Sequence, residues 1–200
     1  QGSRTGGDVA LPQPAGPQSE LIAVNPTRII DTRIDPPGHV AAKQQIVVDV
    51  SADVPEGATA VAAYVSATNT GGPGYLTAYE CSTGRPTASS VNYLGGETRG
   101  ALAIVPLSAT REFCLFSLAD ADLLVDLQAA FVPLGSGGTR LTPLTTPTRL
   151  VDTRLTGRHD ILEVPVPAGA EAVAINLTAV NGDAPGFLVA YACSDVVPKV

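Results

Sequence analysis

The sequence contains no methionine and no tryptophan, and only two of its 200 residues are lysine, Lys43 and Lys199. It begins QGSRTGG, with neither an initiator nor a charged and apolar leader. It therefore reads as a mature or excised segment, any signal peptide lying outside it. The lack of tryptophan removes the Cys…Trp…Cys signature of immunoglobulin domains. It also leaves only five tyrosines to build the flat aromatic platform that sugar-binding modules usually offer. Charged residues make up 16% of the chain, below the roughly 25% of an ordinary globular domain. No apolar run reaches the ~18 residues of a spanning helix, so membrane insertion is not expected. With three cysteines, two histidines and no CxxC pattern, a structural zinc site lacks its four grouped ligands. No G-x-S-x-G elbow, P-loop or HExxH motif is present. The sequence thus predicts no enzyme, no metal and no cofactor.

The charge balance excludes further partners. A formal net charge of −7 gains no counterion release from phosphates, which disfavours nucleic acid, and an anionic membrane surface is disfavoured for the same reason.

What is present is apolar and heavily punctuated. Hydrophobic residues make up 44%, and 20 glycines with 17 prolines give 37 turn-formers. That composition favours many short strands over long helices. Period-two alternation predicts strands over 27–31, 45–50, 59–66, 74–81, 88–94, 100–107, 112–118 and 122–128. In 59–66, Val61, Ala63 and Val65 share one face. In 122–128, Leu123, Val125 and Leu127 do. Eight strands in about 110 residues, with turns between, read as an antiparallel β-sandwich, and eight suit a jelly roll better than a seven-stranded immunoglobulin fold.

The chain also repeats itself. PTRIIDTR at 26–33 returns as PTRLVDTR at 147–154, with 6 of 8 residues identical. Residues 54–82 and 166–194 share 16 of 29. The expected organisation is a linker or arm over 1–19, a first module over 20–134, a linker over 135–140 and the N-terminal half of a second, homologous module over 141–200. The fold class is then all-β, with tandem jelly-roll-like sandwiches, the second incomplete. The second copy holds counterparts of residues 26–88 only, including an alternation of Val173, Ile175 and Leu177. Two expectations follow for its missing half. Either the natural protein continues beyond Val200 with a partner for Cys193, or strands of another chain complete the half-module, giving a homo-oligomer through its open edges.

The modules also explain the odd cysteine count. Cys81 has a candidate partner, Cys114, within its own module, whereas the partner of Cys193 would lie in the missing half. This favours a Cys81–Cys114 disulfide and export from the cytosol. The alternative is a pair of buried free thiols in a cytosolic protein.

The blocks P-T-R-[IL]-[IV]-D-T-R, V-P-x-G-A-x-A-V-A and N-x-x-x-P-G-[YF]-L-x-A-Y-x-C resemble a tandem repeat module of exported actinobacterial proteins. The resemblance covers 26–134 and 147–194 and implies a place beside cell-wall hydrolase or other surface domains.

Candidate binding residues are those of the repeated motif: Arg28, Asp31 and Arg33, with Arg149, Asp152 and Arg154. On a strand, Ile29, Asp31 and Arg33 would share a face. One reading is an Asp–Arg brace that pins the first strand. The other is an Arg fork for an anionic sugar or a peptide carboxylate. His39 and His159 both follow the motif but differ in spacing, and read as exposed loop residues. Asp120 and Asp122 read as turn chemistry before the last strand, a calcium site there lacking enough oxygen ligands. Tyr75 and Tyr79 share a face with Cys81, which suggests burial beside the disulfide. The function expected is a non-enzymatic extracellular structural or adhesive module on a cell surface or virion. The alternative is a carbohydrate- or cell-wall-binding module beside a hydrolase. The expected partners are other protein subunits or cell-envelope glycan.

Overall fold

The computed structural model describes residues 18–146, 148–157, 160–184 and 186–194. Eight strands form: β1 (Ser19–Asp31), β2 (Gln44–Asp49), β3 (Ala60–Thr68), β4 (Gly74–Tyr79), β5 (Val91–Tyr93), β6 (Arg99–Pro106), β7 (Glu112–Ser117) and β8 (Asp122–Pro133). They make two four-stranded antiparallel sheets, in the orders β1-β8-β3-β6 and β2-β7-β4-β5. This is the winding of a jelly roll.

The alternation read from the sequence sets which side chains enter the sandwich. Val61, Ala63 and Val65 of β3 meet Leu123, Val125 and Leu127 of β8 in the core, with Leu76, Phe113 and Leu115 from the facing sheet. Each fully buried Val, Leu or Phe contributes about 1.5–3 kcal/mol by removal from water. The alternation on β8 changes parity at Gln128. The β3 register skips it, pairing Ala62 with Ala129 but Ala63 with Leu127. Ala130 and Val132 then point inward in place of odd-numbered residues. This bulge carries the strand to Pro133, five residues past the expected end. Strand β1 also begins earlier than expected, at Ser19. Its internal Pro26 is tolerated because β1 is an edge strand and its ladder to β8 is interrupted between Ala23 and Thr27. Residues 135–140 do not leave the body freely. Leu21 and Thr139 exchange both backbone hydrogen bonds at 2.8 Å, laying the expected linker along the β1 edge.

Strand β7 is buried on both faces. Phe113 and Leu115 point into the core, while Cys114 and Phe116 point outward beneath the segment after β4. That segment is tied down by the Cys81–Cys114 disulfide, with Cα atoms 5.0 Å apart. The Arg85 guanidinium lies 3.7 Å above the Phe116 ring, and Thr77 Oγ1 donates to the Ala88 carbonyl at 3.2 Å. Tyr79 is buried here, its hydroxyl donating to Gln45.

Among the described residues the second copy does not form the strands that its sequence leads one to expect. Among the described residues of 141–194 the regular element is one helical turn, α1 (Thr153–Thr156). Val173, Ile175 and Leu177, expected to line a sheet, are exposed. The reason lies in the pairing pattern of the first module. Each of its six strand pairings joins one of β1–β4 to one of β5–β8: β1·β8, β2·β7, β3·β6, β3·β8, β4·β5 and β4·β7. A segment matching only β1–β4 has no sheet partner within itself.

Candidate functional site

The motif residues gather where β1 ends. The strand stops at Asp31, and Thr32, Arg33 and Ile34 turn away from it, with the Asp31 carbonyl accepting from the amides of Ile34 (3.0 Å) and Asp35 (2.8 Å). Arg33 is therefore not a strand-face neighbour of Asp31, as strand periodicity implied. The turn brings it back. Its backbone amide (3.2 Å) and Nε (2.8 Å) donate to Asp31 Oδ1, and Nη2 donates to Oδ2. Arg28, three residues before Asp31 on β1, donates from Nη1 to Asp31 Oδ2 at 3.2 Å. Its Nε and Nη2 grip both oxygens of Asp126 on β8. Asp31 is only 4% exposed. The hydrogen bonds from Arg33 lead in holding its carboxyl down at about 2, against the opposing effect of burial.

Thr32, between the two, was not singled out from the sequence. It is 1% exposed. Its amide donates to the Leu123 carbonyl (3.0 Å), and its Oγ1 accepts from the Leu123 amide (2.8 Å). Its place at the centre of a twice-repeated Asp-Thr-Arg was the available signal.

The second copy reproduces the turn without a sandwich around it. The Arg154 amide (3.1 Å), Nε (2.9 Å) and Nη2 (2.6 Å) all donate to Asp152. The Asp152 carbonyl accepts from the Leu155 amide at 3.1 Å. Arg149 stands 3.7 Å from the same carboxylate. The Arg154 hydrogen bonds again lead in lowering the Asp152 carboxyl to about 2. The turn is thus encoded locally, as an Asp side chain capping the amide two residues on.

Three loops meet at this end of the sandwich. His39 follows the motif turn, and Val40 exchanges backbone hydrogen bonds with Ala121 at 2.9 and 3.0 Å. His39 is an exposed loop residue, as expected, and both its ring nitrogens are engaged. Its Nδ1 lies 3.0 Å from Asp122 Oδ1 and its Nε2 lies 3.3 Å from Asp120 Oδ2. Asn69 donates to the other Asp122 oxygen at 2.6 Å. Asp120 and Asp122, read as turn residues, are the acceptors of this clasp, and they push the His39 pKa upward, Asp120 most. A Cβ at Gly71 would sit 2.3 Å from Asp120 Oδ2, so a larger residue there would have to displace the Asp120 carboxylate. His159 lies outside the described residues. Among the described residues no group of three or more His, Cys, Asp or Glu is arranged to hold a metal ion.

Elsewhere the surface offers two features. On the outer face of the β1-β8-β3-β6 sheet, Tyr64 is half exposed, its ring passing over Gly100 of β6 beside exposed Leu102 and Ile104. At the opposite end a shallow groove of about 380 Å³ is lined by Glu56, Thr59, Ser108, Thr110 and Arg111. Its hydroxyls are committed to the turn. Ser108 Oγ lies 2.8 Å from Thr110 Oγ1, and Thr110 donates to Glu112 at 2.6 Å.

The chain matches no known family model and no curated protein.

Proposed function

We propose that the chain is a non-enzymatic, exported structural or adhesive module of a cell surface or virion. The observation that carries this reading is the state of the repeated motif. In the first copy both carboxylate oxygens of Asp31 are taken by Arg28 and Arg33, and the Arg28 guanidinium is spent on Asp126 and Asp31. An arginine engaged in this way has little left for a ligand carboxylate. The motif serves to lock the end of β1 to β8. The Cys81–Cys114 disulfide is compatible with an oxidising compartment outside the cytosol. Among the described residues no helix is long and apolar enough to cross a membrane. The test is incubation of the purified chain with isolated cell envelopes. This reading expects retention without any release of soluble sugar or peptide, and turnover abolished by one point substitution would overturn it.

The exposed Tyr64 favours a second reading, binding of an envelope glycan by stacking on its ring. Saturable glycan binding that is lost in Tyr64→Ala would select this reading, and an empty glycan array would remove it.

A further inference from the structure

The two sheets end in four edge strands, β1, β6, β2 and β5, and three of them are protected in ways that discourage pairing. Strand β1 carries Pro26, has two breaks in its register and is covered at Leu21 by Thr139. Strand β5 has three residues. Strand β2 has six, with Lys43 just before it and Asp49 at its end. Strand β6 has none of these devices. Its register with β3 runs unbroken from Pro106 to Arg99, and among the described residues β3 is its one ladder partner. Residues 100–110 carry no charge.

The backbone of this edge has a defined polarity. The Leu107 amide donates to the Thr59 carbonyl at 2.9 Å. Alternation along the unbroken register then turns the amides of Ala101, Ala103 and Val105 toward β3, and those of Leu102 and Ile104 toward the open edge. The Leu102 and Ile104 side chains stand on the outer face of the sheet, 60% and 68% exposed. The strand is complementary to itself. Laid antiparallel on a second β6 about Ala103, it sets Leu102 opposite Ile104 twice, at positions that exchange both backbone bonds. Pro106, which has no N–H, falls at the end of the pairing opposite Gly100, and Arg99 falls opposite uncharged Leu107. Since Tyr64 pairs with Leu102 across the β3–β6 ladder, the outer face gains a continuous row of Tyr64, Leu102 and the other molecule's Ile104. Charge selects the same place. Two chains of net charge −7 repel each other, and an uncharged edge is where they meet at least cost.

We propose that β6 is a self-docking edge, through which two molecules of this chain pair β6 to β6 about a two-fold axis at Ala103 and join their β1-β8-β3-β6 sheets into one. A contact made by one strand from each molecule belongs to the small, transient class of interfaces, so the dimer is reversible and concentration-dependent. This goes beyond the structural or adhesive reading and does not depend on it.

The test combines sedimentation equilibrium with amide hydrogen exchange on the full chain, from about 1 μM to about 1 mM. The average mass should climb from one chain toward two. Over the same range the Leu102 and Ile104 amides should gain protection severalfold, while Ala101 and Ala103, bonded to β3, are protected throughout. The double variant Leu102→Lys/Ile104→Lys sets lysine opposite lysine in the pair, at two positions that are exposed in the single molecule. It should stay a single chain at every concentration, with the thermal unfolding of the dilute parent. A parent that remains one chain up to about 1 mM overturns the proposal, as does association that the double variant leaves unchanged. Leu102 and Ile104 amides as protected as Ala103 in dilute parent overturn it too, by showing that the edge is already covered, and that measurement needs no variant to fold.

Discussion

Thr32 and Leu123 hold each other through two hydrogen bonds, the Thr32 amide on the Leu123 carbonyl at 3.0 Å and the Leu123 amide on Thr32 Oγ1 at 2.8 Å. The hydroxyl thereby continues the β1–β8 ladder by one step past the last residue of β1. Thr32→Val keeps the shape and strands the buried Leu123 amide. We expect a loss of about 1–3 kcal/mol in denaturant unfolding, with most of it recovered by Thr32→Ser. Equal stability of the Val variant and the parent would refute this role.

Asp31 makes stability depend on acid pH. Its carboxyl sits at about 2 in the fold against 3.8 in the unfolded chain. A lowered carboxylate contributes stability that is present above pH about 4 and lost as the pH falls toward 2, amounting to about 2 kcal/mol at neutral pH. Asp31→Asn should reduce stability at pH 7 and flatten the slope between pH 4 and 2. Parallel pH profiles for parent and variant would contradict the assignment.

Titration with a thiol reagent should find one reactive cysteine, Cys193, in the unreduced protein, because Cys81 and Cys114 are bonded. Their bridge closes a loop with a sequence separation of 33, so reduction should remove about 3–4 kcal/mol in the chain-entropy description. It should also free the segment carrying Arg85 from Phe116. Two or three reactive thiols before reduction would show that the segment is not tied.

His39 lies between Asp120 and Asp122, and both carboxylates raise its pKa above the usual value of 6.5. A raised histidine contributes stability that is complete below pH about 6.5 and disappears as the pH rises through the folded value. The ring is half exposed, so the effect on global unfolding is small and the titration itself is the better readout. An NMR titration should place the His39 midpoint above 6.5, and Asp120→Asn and Asp122→Asn should each bring it down. A midpoint at or below 6.5 in the parent would show that the clasp does not form.

The sequence carried most of the first module because its strands alternate cleanly and turn residues separate them. The departures have local causes. Strand β8 reads as ending at 128 because the bulge at Gln128 inverts the parity that periodicity relies on. The early part of β1 is hidden by Pro26, which an edge strand tolerates. Strand β7, expected over 112–118, forms at Glu112–Ser117 even though Cys114 and Phe116 are nearly as buried as Leu115 between them, so that no polar face marks it. At the site, the Asp31–Arg33 pair was legible because it is formed within three residues, though through a turn and not a strand face. Thr32 with Leu123 and His39 with Asp120 and Asp122 were not, since they join residues 91, 81 and 83 apart. The second copy marks the converse limit. Its local turn at Asp152 forms as in the first copy, while the strands expected of it do not form among the described residues.

The most direct test of the account separates bracing from binding at Arg28. Arg28→Ala removes the link from β1 to Asp126 and Asp31. Unfolding free energy and retention on isolated cell envelopes, the latter per folded molecule, are measured on the same preparations. The account predicts a stability loss of about 1–3 kcal/mol, as for hydrogen bonds between charged groups, with retention unchanged. Full stability together with lost retention would contradict it and make the motif a ligand site.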